Sequence, residues 1–237
     1  MSNNFFRFKQ FAVFQDLCAM KVGTDGVLLG AWSEVTGRNY ILDIGTGTGL
    51  VALMLAQRNH NAIIHGLDID EGCVIQAKQN IARSSFANRI DVRKISFQEF
   101  AQQSDKKYDL IVSNPPYFQN ALKSPTLSRN HARHNDSLSF YDILSSGATL
   151  LSEVGSIALI LPYEFKQKIL DHAVTIQLFP NRITNVFPLP HKSAKRLLIE
   201  FGVIESECVE DDLIIEFSRH QYSDAFSALT KEFYLDK

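Results

Sequence analysis

Five short apolar runs recur along the first two thirds of the chain, with helix-forming segments between them. They are Tyr40–Ile44, Ala62–Asp68, Ile90–Arg93, Tyr108–Ser113 and Ser156–Leu161. Four of the five are nearly continuous in apolar residues rather than alternating, the pattern of strands buried on both faces. Helical segments are expected over Leu50–Gln57, Asp70–Arg83, Leu138–Leu151 and Glu164–Leu178. In the second of these, Val74, Ile75, Ala77 and Ile81 are the apolar positions and Asp70 is a candidate N-cap. Such β-α alternation can bury both faces of its strands only as a parallel sheet with helices on each side.

The last third breaks the rhythm. Ile183–Phe187, Lys195–Val203 and Leu213–Phe217 read as strands joined by loops alone, which favours an antiparallel hairpin at a sheet edge. Six acids between Glu205 and Glu216 suit a solvated edge. At 237 residues without a Gly/Ser or Pro linker, the chain reads as a single domain over 1–237. Residues 1–24 form an N-terminal extension, in which Phe5, Phe6, Phe8, Phe11 and Phe14 suggest a hairpin.

Charge and cysteine content narrow the function classes. Lys and Arg number 24 against 26 Asp and Glu, a net charge of −2, so the chain lacks the global basic charge of a protein that coats nucleic acid. A local basic patch remains compatible with it. Cys18, Cys73 and Cys208 are odd in number, far apart in sequence and without zinc spacing, and a reducing compartment is the simplest reading. No apolar run has the length of a leader or a membrane span. A cytoplasmic protein, monomeric and without metal, is expected.

The segment Leu42-Asp43-Ile44-Gly45-Thr46-Gly47-Thr48-Gly49-Leu50 lies where a strand gives way to a helix. Glycines there permit a tight turn and close approach of a ligand to the main chain. The spacing is GxGxG, one residue short of the nicotinamide fingerprint, and the Lys of a phosphate loop is absent. Asp68 ends the second strand, 19 residues beyond Gly49, where its carboxylate could accept both ribose hydroxyls. A glycine loop and a ribose acid without a pyrophosphate site fit S-adenosylmethionine. Gly45, Thr46, Gly47, Gly49 and Asp68 are therefore candidate cofactor residues, with Asp43 to orient the loop or meet the cofactor's ammonium group. Ser96 and Phe97, after the third strand, stand where an adenine contact is expected; a helix cap and a core phenylalanine explain them equally well.

Ser113-Asn114-Pro115-Pro116-Tyr117-Phe118 follows the fourth strand. Two consecutive prolines remove two backbone donors and leave the Pro115 carbonyl available beside the Asn114 side-chain carbonyl. Two acceptors converging on one –NH₂ group suit an amine whose lone pair is delocalised. Tyr117 offers a ring on which a planar group can stack. Asn114, Pro115 and Tyr117 are the candidate catalytic residues, with Asn114 also near the cofactor.

The glycine loop and the NPPY motif together resemble class I S-adenosylmethionine-dependent methyltransferases that modify an exocyclic or amide nitrogen. The opening narrows the resemblance. Phe8-Lys9-Gln10-Phe11 and Met20-Lys21-Val22-Gly23-Thr24-Asp25-Gly26-Val27-Leu28-Leu29-Gly30-Ala31-Trp32 look like the start of the bacterial tRNA1(Val) adenine-N6 methyltransferases. The likeness continues through NPPYF, Ala132-Arg133-His134 and Ala194-Lys195-Arg196. It implies a Rossmann-like fold with a mostly parallel seven-stranded sheet and an antiparallel edge hairpin. It also implies a tRNA substrate methylated at the adenine beside the anticodon, and places Lys21, Thr24 and Asp25 over the methionine end of the cofactor. From the residues alone, Thr24 or Asp25 caps a helix over Gly26–Ser33. Ser96 departs from the acid that family carries there.

Arg129 and Arg133 after NPPYF, and Lys192, Lys195 and Arg196 before an edge strand, are candidate RNA-phosphate contacts; solvated loop charges are the plainer alternative. His131 and His134 have no third ligand nearby in sequence. A protein glutamine-N5 methyltransferase is the second reading, since an amide nitrogen poses the same chemical problem, and a non-catalytic cofactor-binding module is the third.

Overall fold

The computed structural model describes residues 4–115 and 138–235. Eight strands form one sheet. In chain order they are β3 (Tyr40–Ile44), β4 (Ile63–Asp68), β5 (Ile90–Lys94), β6 (Tyr108–Ser113), β7 (Leu151–Pro162), β8 (Phe179–Phe187), β9 (Arg196–Gly202) and β10 (Val209–Ile214). Across the sheet they run β10-β8-β9-β7-β6-β3-β4-β5. The two strands before these, β1 (Phe5–Arg7) and β2 (Ala12–Phe14), pair as a separate antiparallel hairpin, as the spacing of the phenylalanines suggests.

Pairing is parallel throughout except at β9, which runs antiparallel to both β7 and β8. The expected edge hairpin is therefore β8–β9. The strand count and the edge differ from expectation. The eighth strand, β10, does not turn back beside β9; it lies outside β8 and parallel to it. Side chains on β8, with Lys166 at the start of the helix Lys166–Thr175, hold it there. Asn185 donates to Glu210 and Asp212 at 2.9 Å each, while Thr184 donates to Asp211 and Lys166 pairs with Glu210. The acidic segment is an edge, as expected, but three of its acids are strand-pairing groups. A further small ribbon, β11 (Glu216–Ser218) with β12 (Gln221–Tyr222), follows.

Alternate residues of each strand enter opposite cores. Ile41, Ile64, Leu110, Val112, Ala158 and Ile160 face one side. There they meet the helices α1 (Thr24–Trp32), α2 (Leu50–Arg58) and α3 (Glu71–Ala82), with α7 (Asp224–Thr230) joining near the C-terminus. Leu42, Ile111, Ile157 and Leu159 face the other, against α4 (Phe97–Gln103), α5 (Phe140–Leu150) and α6 (Lys166–Thr175). This two-sided burial is why the runs lack alternation. Helix α7 is short and carries no long apolar period, so it escapes the sequence reading, while α4 begins at the cap that Ser96 offered. The N-terminal extension is not peripheral: Phe8, Phe11 and Val13 are buried in the first core.

Two features of local chemistry position the site. Asp70 caps α3, accepting from the Cys73 amide at 2.9 Å, as expected. Helix α1 begins at Thr24 with Gly23 as its N-cap and no side-chain cap, so neither Thr24 nor Asp25 caps it. Helix α1 crosses close to α2 because Gly26 and Gly30 face it: a Cβ on Gly30 would come within 2.9 Å of the Met54 Cβ. The first turn of α1 is thereby brought beside the glycine loop at the start of α2.

The cysteine reading is corrected. Cys18 and Cys73 are 55 residues apart in sequence yet form a disulfide, which ties the segment before α1 to the first turn of α3. Distance along the chain is therefore no guide to their distance in space; only Cys208 is a free thiol among the described residues. Among those residues no helix is long and apolar enough to cross a membrane.

Candidate active site

Strand order reverses between β3 and β6, since β3 carries β4 on one side and β6 on the other. In an open α/β sheet that reversal leaves a crevice at the carboxyl ends of the strands, where ligands bind. The crevice here holds a cavity of about 420 Å³, within the range of small-molecule sites. The loop after β3 supplies one wall through Gly45, Thr46, Gly47 and Thr48, and the loop after β6 supplies Asn114. Lys21 closes it from the segment before α1, Thr24 and Asp25 from the first turn of α1, and Arg196 from the start of β9.

Backbone conformation explains the glycines of the loop. Gly45, Gly47 and Gly49 have φ of +71°, +55° and +81°, a region that costs other residues roughly 1–2 kcal/mol each. At Gly45 a Cβ would meet nothing within 4 Å: the main chain there borders open space into which a ligand can press. Gly49 serves differently. It is the N-cap of α2, with Ala77 of α3 3.4 Å from where its Cβ would stand, and it does not line the cavity.

Asp43 orients the loop, as one of its two expected roles requires. Its Oδ2 accepts from Thr46 Oγ1 at 2.7 Å, and Gly66 on the adjacent strand leaves room for that threonine. Burial pushes the Asp43 carboxyl up to about 7, against the hydrogen bonds from Thr46 and the Ala52 amide, with the nearby Asp68 charge adding to the rise. The proton is thus bound in the folded state well above the pH at which the unfolded chain releases it. The contribution to stability is full below about pH 4 and declines as pH rises through about 7. Asp43→Asn, which mimics the protonated form, should gain on the wild type between pH 5 and 7.5. Urea midpoints measured across that range check this; a constant gap between the two proteins would mean an ionised Asp43 throughout.

Asp68 sits beside the cavity rather than in its lining. Its Oδ2 accepts from the Gly47 amide at 2.8 Å and its Oδ1 from the Asp70 amide at 2.9 Å. The carboxylate thereby joins the glycine loop to the cap of α3. The cap and core roles offered for Ser96 and Phe97 are both present. Ser96 is the N-cap of α4, its hydroxyl accepting from the Glu99 amide at 3.1 Å, and Phe97 is buried in the second core. Neither lines the cavity, because α4 begins immediately after the strand end and turns Phe97 inward.

Asn114 follows β6 directly, with Pro115 buried after it. The fully buried Ser113 donates to the Ile44 carbonyl at 2.8 Å. That bond clamps the ends of β3 and β6 together, so the glycine loop and Asn114 share one floor. Tyr117, Arg129 and Arg133 lie outside the described residues, as do His131 and His134. Lys192 and Lys195 are exposed in the connection from β8 to β9. The register Arg196 to Pro162 puts Lys195 at the carboxyl ends of the parallel strands, on the side of the crevice. Arg196, the remaining candidate RNA contact, also reaches the site. Its Nε donates to Asp25 Oδ2 at 2.8 Å and its side chain lines the cavity. This ion pair spans 171 residues, and no local sequence signal could have found it. Among the described residues no three His, Cys, Asp or Glu side chains cluster as a metal site.

The cavity suits S-adenosylmethionine on its own evidence: an open glycine cradle at a topological switch point, with Arg196 in its lining tied to Asp25. Comparison with known proteins agrees. Residues 21–136 match the family model of the methyltransferase small domain. A predicted O-methyltransferase from Agrobacterium tumefaciens shares the fold at 17% identity, with a TM-score of 0.69 over 88% of this chain and 96% of that one. A tRNA1(Val) (adenine(37)-N6)-methyltransferase of Parabacteroides distasonis is 50% identical over 99% of both chains. Those of Bacteroides thetaiotaomicron and Trichodesmium erythraeum are 49% and 46% identical over the same share. With about half of its residues shared from end to end, this chain belongs to the tRNA1(Val) (adenine(37)-N6)-methyltransferase family.

Proposed function

We propose that the protein transfers a methyl group from S-adenosylmethionine to the exocyclic N6 of adenine 37 in tRNA1(Val). The observation that carries the chemistry is the opening of Asn114 and the glycine loop into one cavity. The relatives' shared activity supports the substrate. The cofactor, when bound, supplies a methyl group activated by a sulfonium centre. Gly45, Thr46 and Gly47 would hold it, with Asp68 bracing the loop through the Gly47 amide and offering its carboxylate to the ribose hydroxyls.

The chain's own task is to present the amine. The Asn114 side-chain carbonyl and the Pro115 main-chain carbonyl accept its two N–H bonds, which turns the nitrogen lone pair toward the methyl group. No strong base is needed first, since the surplus proton can leave from the cationic product. Tyr117 supplies the ring against which the extruded base stacks. Incubation with labelled cofactor and tRNA1(Val), followed by nucleoside analysis, tests the assignment. N6-methyladenosine should form, and tRNA carrying guanine at position 37 should stay unmodified. Label appearing in glutamine of a protein substrate instead would replace this reading with the amide one. A tRNA substrate also implies work in the cytoplasm.

RNA engagement is local, since the net charge is −2. Arg129, Arg133, Lys192 and Lys195 are the cations proposed to meet phosphates; a monomer suffices for that arrangement. If three of them do so, log K should fall with log salt at a slope of about −2 to −3. A filter-binding titration from low to moderate salt measures it. Lys192→Ala with Lys195→Ala should flatten the slope by about one to two units, and an unaltered slope would remove this loop from the RNA interface.

A further inference from the structure

Four ionisable side chains line the cavity: Lys21, Asp25, Asp43 and Arg196. They are not equivalent. Asp43 is buried behind the loop and spent on Thr46 and the Ala52 amide. Asp25 is the partly exposed carboxylate of the set, in the first turn of α1, and it binds Arg196 at 2.8 Å. Arg196 is held in place from the sheet, where it opens β9 between Pro162 of β7 and Val186 of β8. A guanidinium thus faces the cavity with a carboxylate against it.

The proposed reaction changes the charge of what occupies this cavity. The donor carries a sulfonium cation; once the methyl group has left, the sulfur is a neutral thioether and the rest of the molecule is unchanged. Charges in the lining would act on that sulfur through a medium less polarisable than water. A bare Arg196 would disfavour the donor and spare the product. Resting on the reading of the cavity as a cofactor site, we infer that Asp25 is an electrostatic positioning residue. By holding Arg196 and cancelling its charge, it sets the cavity's preference for the sulfonium donor over the thioether product. The cell contains both molecules, so this ratio governs how far spent cofactor occupies the site.

The ratio of two affinities separates this role from a structural one. Calorimetry with S-adenosylmethionine and with S-adenosylhomocysteine gives the wild-type ratio. Asp25→Asn should weaken the donor relative to the product by about 5–10-fold. Arg196→Gln alone should shift the ratio toward the donor, because it leaves the carboxylate uncompensated. The double variant should return the ratio to within about twofold of wild type, although it lacks the ion pair altogether. A purely structural tie predicts the opposite: both ligands weakened alike, and the double variant no better than the single. Equal losses for donor and product in Asp25→Asn would overturn the proposal, as would a double variant that keeps the single variant's ratio. Should Asp25→Asn fail to fold, the Arg196→Gln ratio decides alone, and an unshifted ratio overturns it. Wild-type protein that binds neither molecule would sink the cofactor site and this proposal together, whereas binding of both with an unmoved ratio sinks only the latter.

Discussion

Asn114→Ala is expected to lower kcat by about 10²–10³, roughly 3–4 kcal/mol, by analogy with the loss of one preorganised oxyanion-hole group. Positive charge grows on the target nitrogen as it accepts the methyl group, and its N–H groups become stronger donors. The bond to the Asn114 carbonyl is therefore worth more in the transition state than in the bound amine, and such interactions lower the barrier rather than only tightening binding. Asn114 follows β6 directly, and the Ser113 to Ile44 bond holds that strand end independently of the asparagine side chain. The variant should keep its fold and most of its cofactor affinity. Single-turnover methylation of tRNA, with cofactor binding measured in parallel, separates the steps. Near-normal turnover together with lost cofactor binding would reduce NPPY to a structural turn.

Asp68→Ala carries the second large effect, and the structure adds a second reason for it. A bidentate contact to the cofactor ribose is the expectation from position in sequence. The carboxylate accepts from the amides of Gly47 and Asp70, so it shapes the loop as well as bordering the site. Alanine leaves both amides without their acceptor and releases the turn at Gly47, whose φ of +55° is already one that few residues adopt. The expected loss of cofactor affinity is about 1.5–3 kcal/mol, the cost of removing a charged acceptor from partly buried donors. Calorimetry on the folded variant measures it. Asp68→Asn should recover part of the loss if loop shape dominates, because one amide acceptor remains. Affinity unchanged in Asp68→Ala would show that the loop holds its shape without the carboxylate.

The parts of this protein that were legible in the sequence are those governed by neighbours along the chain. Tyr40–Ile44 and Tyr108–Ser113 form strands at the expected residues, because an apolar run closed by glycines or prolines has one compatible conformation and two faces to bury. The glycine loop was readable for the same reason: positive φ at Gly45, Gly47 and Gly49 is a local demand that only glycine meets without strain. Asp70 as a cap and the N-terminal hairpin are also local. Tertiary structure decided the rest. Strand β10 lies outside β8 because Thr184 and Asn185 offer it donors, a match of side chains that hydropathy does not register. Ser96 and Phe97 went to a helix cap and the core, since the chain turns into α4 at once. Cys18 met Cys73 across 55 residues and Arg196 met Asp25 across 171. Contacts of that range depend on the order of strands in the sheet, and no period or spacing along the chain encodes which distant side chain will arrive.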